Sequence, residues 1–156
     1  MADSRLQLVA QRIRSFPDFP TPGVLFRDIS PLLKDPNSFR AAISLLASHL
    51  KTTHGGKIDY IAGKWRVRGE GGLACGPGPR RRVADLEIQR DALEPGQKVV
   101  VVDDLLATGG TMHAACELLG QLRAEVLECL SVVELTSLKG REKLGGVPFF
   151  SLLQYE

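Results

Sequence analysis

Two adjacent carboxylates and a glycine-rich loop stand together in the stretch VVVVDDLLATGGT, residues 99–111. The four valines predict a buried strand, and they lead directly into Asp103 and Asp104. The loop at residues 107–111 holds only small side chains, so its backbone N–H groups can close around the oxygens of a phosphate. A carboxylate pair accepts hydrogen bonds from hydroxyls and stabilises positive charge. A phosphorylated ribose offers both: its hydroxyls and cationic C1 suit Asp103 and Asp104, and its 5′-phosphate suits the loop.

The elements around this motif predict an α/β fold. Apolar spacing and capping residues predict helices that start at Ser4, at Asn37 or Ser38, and at Gly110. Strands are expected over residues 58–63, 98–104, 125–135 and 147–153, while the proline-rich residues 16–30 are expected to be irregular. Strand, loop, helix and strand in succession form a βαβ unit, which indicates a mostly parallel sheet flanked by helices. Ligands of such sheets bind at the carboxyl ends of the strands, which is where the motif lies.

The second helix has a predicted buried face made of Phe39, Ile43, Leu46 and Leu50. The first has apolar residues at helical spacing, Leu6, Val9 and Ile13.

Length and composition fit a single domain of an ordinary globular protein. The chain has 156 residues, of which 44% are hydrophobic and 24% charged, and its net charge is +2. No apolar run approaches the ~20 residues that span a bilayer, and the N-terminus has no apolar secretory core. The cysteines Cys75, Cys116 and Cys129 are odd in number and far apart, which disfavours a disulfide framework or a zinc site and favours the reducing cytoplasm.

One segment departs from the α/β pattern. Residues 63–83, GKWRVRGEGGLACGPGPRRRV, are rich in glycine and proline and contain six basic residues against the single acid Glu70. Neither helical nor strand periodicity is visible, so we expect a mobile, solvated stretch within the single domain of residues 1–156.

The motif resembles the phosphoribosyl pyrophosphate motif of the type I phosphoribosyltransferases, and it is no Walker loop because no Gly-Lys-Ser/Thr follows. Residues 13–36, 58–63, 91–119 and 134–144 are similar to adenine phosphoribosyltransferases. The similarity covers residues 1 to about 63 and about 84 to 156. It implies Mg²⁺-dependent transfer of phosphoribose from phosphoribosyl pyrophosphate to adenine, which gives AMP and pyrophosphate. It also implies a cytosolic homodimer that acts in purine salvage. We expect no membrane partner, and a nucleic-acid partner is disfavoured.

The resemblance assigns roles residue by residue. Asp103 and Asp104 match the pair that contacts the ribose hydroxyls and the oxocarbenium centre. Phe26 matches the aromatic ring that stacks on adenine, with Leu105 on the opposite face of the base. The remaining assignments are the neighbours that read the base edge, Leu25 and Arg27, and the 5′-phosphate loop, Ala107, Thr108, Gly109, Gly110 and Thr111. Taken without the resemblance, a lone Phe26 would be interpreted as a core residue, and no metal ligand is assigned.

Residues 63–83 stand where the family has its pyrophosphate-binding Asp-Ser-Arg-Gly loop, a helix, a strand and a mobile basic loop with a catalytic glutamate. None of those residues can be carried over, so we expect a fold that is incomplete in the middle and impaired activity. Gly63-Lys64-Trp65 can be encoded by a splice-donor-like string. The hypotheses are a retained intron fragment with a skipped stretch of coding sequence, or a faulty gene model.

Two further interpretations belong to other functional classes. The chain could be a non-catalytic nucleotide-binding or dimer-partner protein that kept the phosphate loop. It could also bind nucleic acid through KWRVR and RRR, although basic residues with one aromatic are a weak signal. Measured turnover separates the enzyme from the non-catalytic binder, and salt-dependent RNA binding tests the last interpretation.

Overall fold

The computed structural model describes residues 3–19, 21–67, 70–73, 80–83, 86–89 and 91–156, with only the backbone described between residues 64 and 89. The chain divides into two compact units, Met1–Thr53 and His54–Glu156, which are described separately. No helix among the described residues is long and apolar enough to cross a membrane.

The described residues of the first unit form three helices and a short two-stranded sheet. Its elements are α1 (Ser4–Ala10), β1 (Arg14–Phe16), β2 (Phe26–Asp28), α2 (Ser30–Lys34) and α3 (Pro36–His54), which ends just inside the second unit. The cap of α1 is Asp3, whose Oδ1 accepts a hydrogen bond from the Arg5 N–H at 2.9 Å, so the expected cap Ser4 is instead the first helical residue. Residues 16–30 are less irregular than expected, because β1 and β2 pair antiparallel with Phe16 opposite Phe26.

Helix α3 begins at Pro36, one residue before the predicted range. Asp35 precedes it, and its Oδ2 accepts a hydrogen bond from the Ser38 N–H at 3.0 Å. The predicted face is half wrong: Leu46 and Leu50 are buried, whereas Phe39 and Ile43 are 43% and 49% exposed. The buried stripe includes the small residues Ser38, Ala41 and Ala42. Ser38 and Ala42 each lie one position, and therefore about 100°, away from one of the two large side chains.

The second unit contains a five-stranded sheet in the order β4-β3-β7-β8-β9, and it confirms the α/β fold class. Strands β3 (Tyr60–Val67), β7 (Lys98–Leu106), β8 (Glu125–Leu135) and β9 (Phe149–Tyr155) are parallel, and β4 (Glu70–Leu73) pairs antiparallel with β3. Helix α4 (Gly110–Gln121) connects β7 to β8. Two 3₁₀ segments, Thr136–Leu138 and Gly140–Leu144, connect β8 to β9.

Described parts of residues 63–83 form strands, although the sequence shows no strand periodicity there. Strand β3 extends to Val67, β4 follows it, and β5 (Arg80–Val83) pairs antiparallel with β6 (Leu86–Gln89) in a separate two-stranded sheet. A ladder of backbone hydrogen bonds needs no alternation of apolar side chains, which is why periodicity did not reveal these strands. The mobility of this segment stays a prediction.

The core of the second unit lies between α4 and the central strands. Val99 and Val101 of β7 and Cys129 of β8 are buried together with Leu118 and Leu119 of α4. The valine run of β7 and the run from Glu128 to Glu134 of β8 are almost continuously buried, as expected for inner strands of a parallel sheet. This packing fixes the carboxyl end of β7 and the start of α4, where the sequence motif lies.

Candidate active site

The carboxylate pair, Asp103 and Asp104, lies near the carboxyl end of β7, which ends at Leu106. The strand continues two residues beyond the predicted end, and Asp103 is still paired in register with Ser131 of β8. Asp103 is half-buried, and its Oδ1 accepts a hydrogen bond from the Asp104 N–H at 2.8 Å. Asp104 is exposed. The inner carboxylate is therefore held against the backbone, and the outer one is available to a ligand.

The phosphate loop, residues 107–111, turns the chain from β7 into α4. Gly109 has φ +84° in the left-handed region, which suits glycine and opposes β-branched residues, and it caps α4. The carbonyl of Gly109 accepts a hydrogen bond from the His113 N–H at 2.9 Å, which begins the helical pattern. The first turn of a helix leaves backbone N–H groups without intrahelical partners and carries the positive end of the dipole. This loop therefore has the backbone geometry of an anion site.

A second glycine, Gly140, supports the phosphate loop from beneath. A β-carbon built on Gly109 would lie 2.3 Å from the carbonyl oxygen of Gly140. A β-carbon built on Gly140 would lie 2.5 Å from the carbonyl oxygen of Ala107 and 3.1 Å from the backbone nitrogen of Gly109. The two backbones approach so closely that no side chain fits between them. The sequence motif did not reveal Gly140, although it lies in the similar stretch at residues 134–144.

The segment that carries Gly140 is anchored by its neighbour Arg141. The Arg141 Nε lies 2.9 Å from Oε1 and 2.5 Å from Oε2 of Glu134, which is only 3% exposed at the end of β8. The guanidinium carbon also lies 4.9 Å from the centre of the Phe149 ring on β9. A buried carboxylate that binds an arginine holds it in a fixed geometry. The segment that carries Gly140 is therefore anchored to β8 and β9.

The residues assigned to the base belong to different units. Leu25, Phe26 and Arg27 lie on or beside β2 in the first unit, and Leu105 is half-buried on β7 in the second. Phe26 is 39% exposed and is not the core residue that its sequence context alone would suggest. Its ring makes a T-shaped contact with Phe19 at 5.2 Å between centroids. The arrangement of Phe26 and Leu105 on opposite faces of a base stays a prediction.

Hydrogen bonds fix the backbone beside these residues. The Arg27 Nη1 donates to the Ser15 hydroxyl at 2.6 Å, which joins β2 to β1. Asp28 accepts hydrogen bonds from Ser30 and, at 3.0 Å, from the Arg14 Nε. The hydrogen bonds from Ser30 first, and then from Arg14, lower the pKa of Asp28 to about 2. Asp28 is therefore ionised throughout the neutral range and keeps β1 and β2 together.

A parallel α/β sheet with an acid pair near a strand end and a left-handed glycine loop before a helix is the arrangement expected of a phosphoribosyltransferase domain. The family described as "Phosphoribosyl transferase domain" matches residues 78–148. The chain is 72% identical to the adenine phosphoribosyltransferase of Cricetulus griseus and 70% identical to that of Homo sapiens, over the full length of each. The Saccharomyces cerevisiae adenine phosphoribosyltransferase, solved in complex with adenine and an iminoaltritol bisphosphate, matches with a TM-score of 0.82 and 34% identity over 96% of this chain and 98% of that one. The chain belongs to the adenine phosphoribosyltransferase family.

The same comparison measures how far the chain is shortened. The alignment with the Cricetulus griseus enzyme spans 181 positions and covers both chains completely, so 25 of its positions have no residue in this chain of 156. The number agrees with the expectation that a family segment is replaced by a shorter one.

Proposed function

We propose that residues 103–111 hold the phosphoribosyl group in the reaction of the family, the transfer of phosphoribose from phosphoribosyl pyrophosphate to adenine, which gives AMP and pyrophosphate. The observation that carries this proposal is the left-handed Gly109 at the start of α4, fixed against Gly140 and five residues after the exposed Asp104. The loop would bind the 5′-phosphate through backbone N–H groups, and Asp104 would accept hydrogen bonds from the ribose hydroxyls.

The same residues suit the charges of the reaction. A ring nitrogen of adenine bonds to C1 of the ribose, the C1–oxygen bond to pyrophosphate breaks, and the nitrogen loses its proton. As the leaving group departs, positive charge develops on C1 and the ring oxygen. Two carboxylates near the end of β7 would stabilise the transition state, in which C1 is positively charged, more than the bound substrate, in which C1 is neutral. Such a difference lowers the activation barrier.

Magnesium would be bound mainly by the substrate. The described residues contain no group of three or more His, Cys, Asp or Glu side chains that could hold a metal ion. Mg²⁺ commonly uses one or two carboxylates together with substrate phosphates, and Asp103 and Asp104 supply oxygen donors of that type. When bound with phosphoribosyl pyrophosphate, the ion would neutralise charge on the departing pyrophosphate.

On the base side, we propose that the Phe26 ring stacks on adenine, while the backbone of Leu25 and Arg27 contacts the edge of the base. The exposed ring of Phe26 and its contact with Phe19 support an aromatic surface available to a planar ligand. The solved Saccharomyces cerevisiae relative contains adenine. A homodimeric assembly and action in the cytosol are part of the same proposal.

We expect the catalytic rate to be reduced more than the affinity for AMP. By the resemblance, residues 63–83 stand in place of the family's pyrophosphate loop and basic closing loop. One preorganised donor to a developing charge is worth about 2.7–4 kcal/mol, or about a hundredfold to a thousandfold in rate. A chain that binds AMP but makes it very slowly would act as a nucleotide-binding variant, which is the alternative function.

Calorimetric titration with AMP tests the proposed site, with Gly109→Val as the disrupting variant and Gly120→Val as its control. Gly120 lies at the other end of α4, where an added β-carbon meets no atom within 4 Å. We expect AMP to bind to the wild type and to Gly120→Val but not to Gly109→Val. Equal AMP binding by all three chains would mean that the loop is only a structural turn. An assay with adenine and phosphoribosyl pyrophosphate on the same samples measures turnover separately, and a rate near 10 per second would refute the proposed impairment.

A further inference from the structure

Two free thiols contact each other behind the phosphate loop. The Sγ atoms of Cys116, in the second turn of α4, and Cys129, in the middle of β8, lie 3.4 Å apart. Cys129 is completely buried, and Cys116 is partly exposed at the rim of the same core. The proposed reaction assigns no role to either thiol. A disulfide requires the two sulfur atoms to approach by only about 1.3 Å from this position.

We propose that Cys116 and Cys129 form an oxidisable dithiol, in which Cys116 reacts with a low-molecular-weight disulfide and Cys129 then closes an internal disulfide. The geometry divides the two tasks. Only Cys116 is partly exposed to an oxidant in solution, and only Cys129 is placed against the sulfur of Cys116 once that sulfur is modified.

The hydrogen bond between the thiols supports this division. It lowers the pKa of Cys116, against the effect of burial. The same hydrogen bond, together with burial, raises the pKa of Cys129. Since the thiolate is the nucleophile, Cys116 is the residue prepared for the first attack.

The reaction balances as two thiol–disulfide exchanges. The Cys116 thiolate bonds to one sulfur of the small disulfide, whose S–S bond breaks and releases one small thiolate. Cys129 gives its proton to that thiolate, and its sulfur then attacks the Cys116 sulfur and displaces the second small thiol. The protein loses two electrons and two protons, and the oxidant becomes two thiols.

Peptide mapping after treatment of the intact reduced chain with glutathione disulfide tests the proposal. Trypsin places the three cysteines on different peptides, 69–80 for Cys75, 99–123 for Cys116 and 124–139 for Cys129, so each pairing has its own mass. After alkylation of remaining thiols, we expect the dominant product to be peptides 99–123 and 124–139 joined, at about 2 Da below their summed mass. The folded chain should form this link at least about tenfold faster than the urea-unfolded chain, because the fold holds the thiols together.

Three variants distinguish the roles. Cys129→Ser should stop at a stable mixed disulfide of Cys116 with glutathione, and Cys116→Ser should leave Cys129 unmodified. Cys75→Ser is the control and should form the same link as the wild type. A wild-type chain that stops at the mixed disulfide, links Cys75 instead, or forms the 116–129 link no faster when folded than in urea would overturn the proposal.

Discussion

Replacing Gly140 with alanine tests whether the backbone contact beneath the phosphate loop sets the geometry of that loop. The added β-carbon would lie 2.5 Å from the Ala107 carbonyl oxygen, 3.0 Å from Cγ of Leu106 and 3.1 Å from the Gly109 nitrogen. Ordinary contact begins near 3.4 Å, so the Gly140 segment and the Ala107 carbonyl must separate by about 0.9 Å. The Arg141–Glu134 ion pair resists movement of the segment. The loop is therefore the part that we expect to move.

The size of this displacement sets the size of the effect. Overpacking of a well-packed site costs about 1–3 kcal/mol of folding stability. A shift near 1 Å in a group that positions a substrate costs about a hundredfold in function. We expect Gly140→Ala to lower the free energy of unfolding by about 1–3 kcal/mol and to weaken AMP binding by about tenfold to a hundredfold, which corresponds to about 1.4–2.7 kcal/mol.

Isothermal titration calorimetry with AMP, at a temperature where circular dichroism shows each chain folded, measures the effect. Gly146→Ala is the matched control, because a β-carbon there meets no atom within 4 Å and the residue lies close to the same segment. The control should bind AMP like the wild type. If folded Gly140→Ala binds AMP within about twofold of the wild type, the contact between the two backbones does not determine the shape of the phosphate loop, and the reasoning fails.

Three other expectations follow from single features. Asp28 has a pKa of about 2 in the folded chain against the usual 3.8, so its contribution to stability is complete above pH 3.8 and is lost as the pH falls toward 2. The difference in unfolding free energy between wild type and Asp28→Asn should therefore shrink over this range, and a constant difference in acid titrations would contradict the expectation. Asp104→Asn should weaken the binding of ribose 5-phosphate in calorimetry and should change turnover, which we expect to be small, only slightly; unchanged affinity would remove Asp104 from the site. Native trypsin should cut first within residues 63–83, and first cleavage elsewhere, identified by mass spectrometry, would mean that this segment is packed.

The part of the fold that the sequence predicts best is the βαβ unit around the motif. The predicted strand at residues 125–135 matches β8 at both ends, and the predicted helix start at Gly110 matches α4. Long apolar runs in buried parallel strands and a glycine at a helix start are strong local signals, because they depend on few neighbours. The same unit carries Asp103, Asp104 and the phosphate loop.

The errors occur where contacts distant in sequence decide the outcome. The face of α3 is rotated toward small residues because its packing partners, rather than its largest side chains, determine which side is buried. The strands in residues 63–83 form through backbone pairing that leaves no periodic pattern. Gly140 is 31 residues from Gly109, so no local pattern could connect the two glycines.

We expect the replaced segment, residues 63–83, to affect turnover and AMP binding differently, although the two properties are usually found together in an enzyme. The residues proposed for the 5′-phosphate and ribose lie on β7 and α4, and their support comes from β8, β9 and the segment at Gly140, all C-terminal to residue 97. Residues 63–83 also contact this region, because Gly63 of β3 pairs with Val102 of β7 and β5 lies beside α4. Groups that act only on the departing pyrophosphate contribute to the transition state and little to the binding of AMP, which contains no pyrophosphate. Loss of the family's pyrophosphate loop should therefore lower kcat far more than AMP affinity, and a chain that lost both equally would show that the missing segment also holds the phosphate loop in shape.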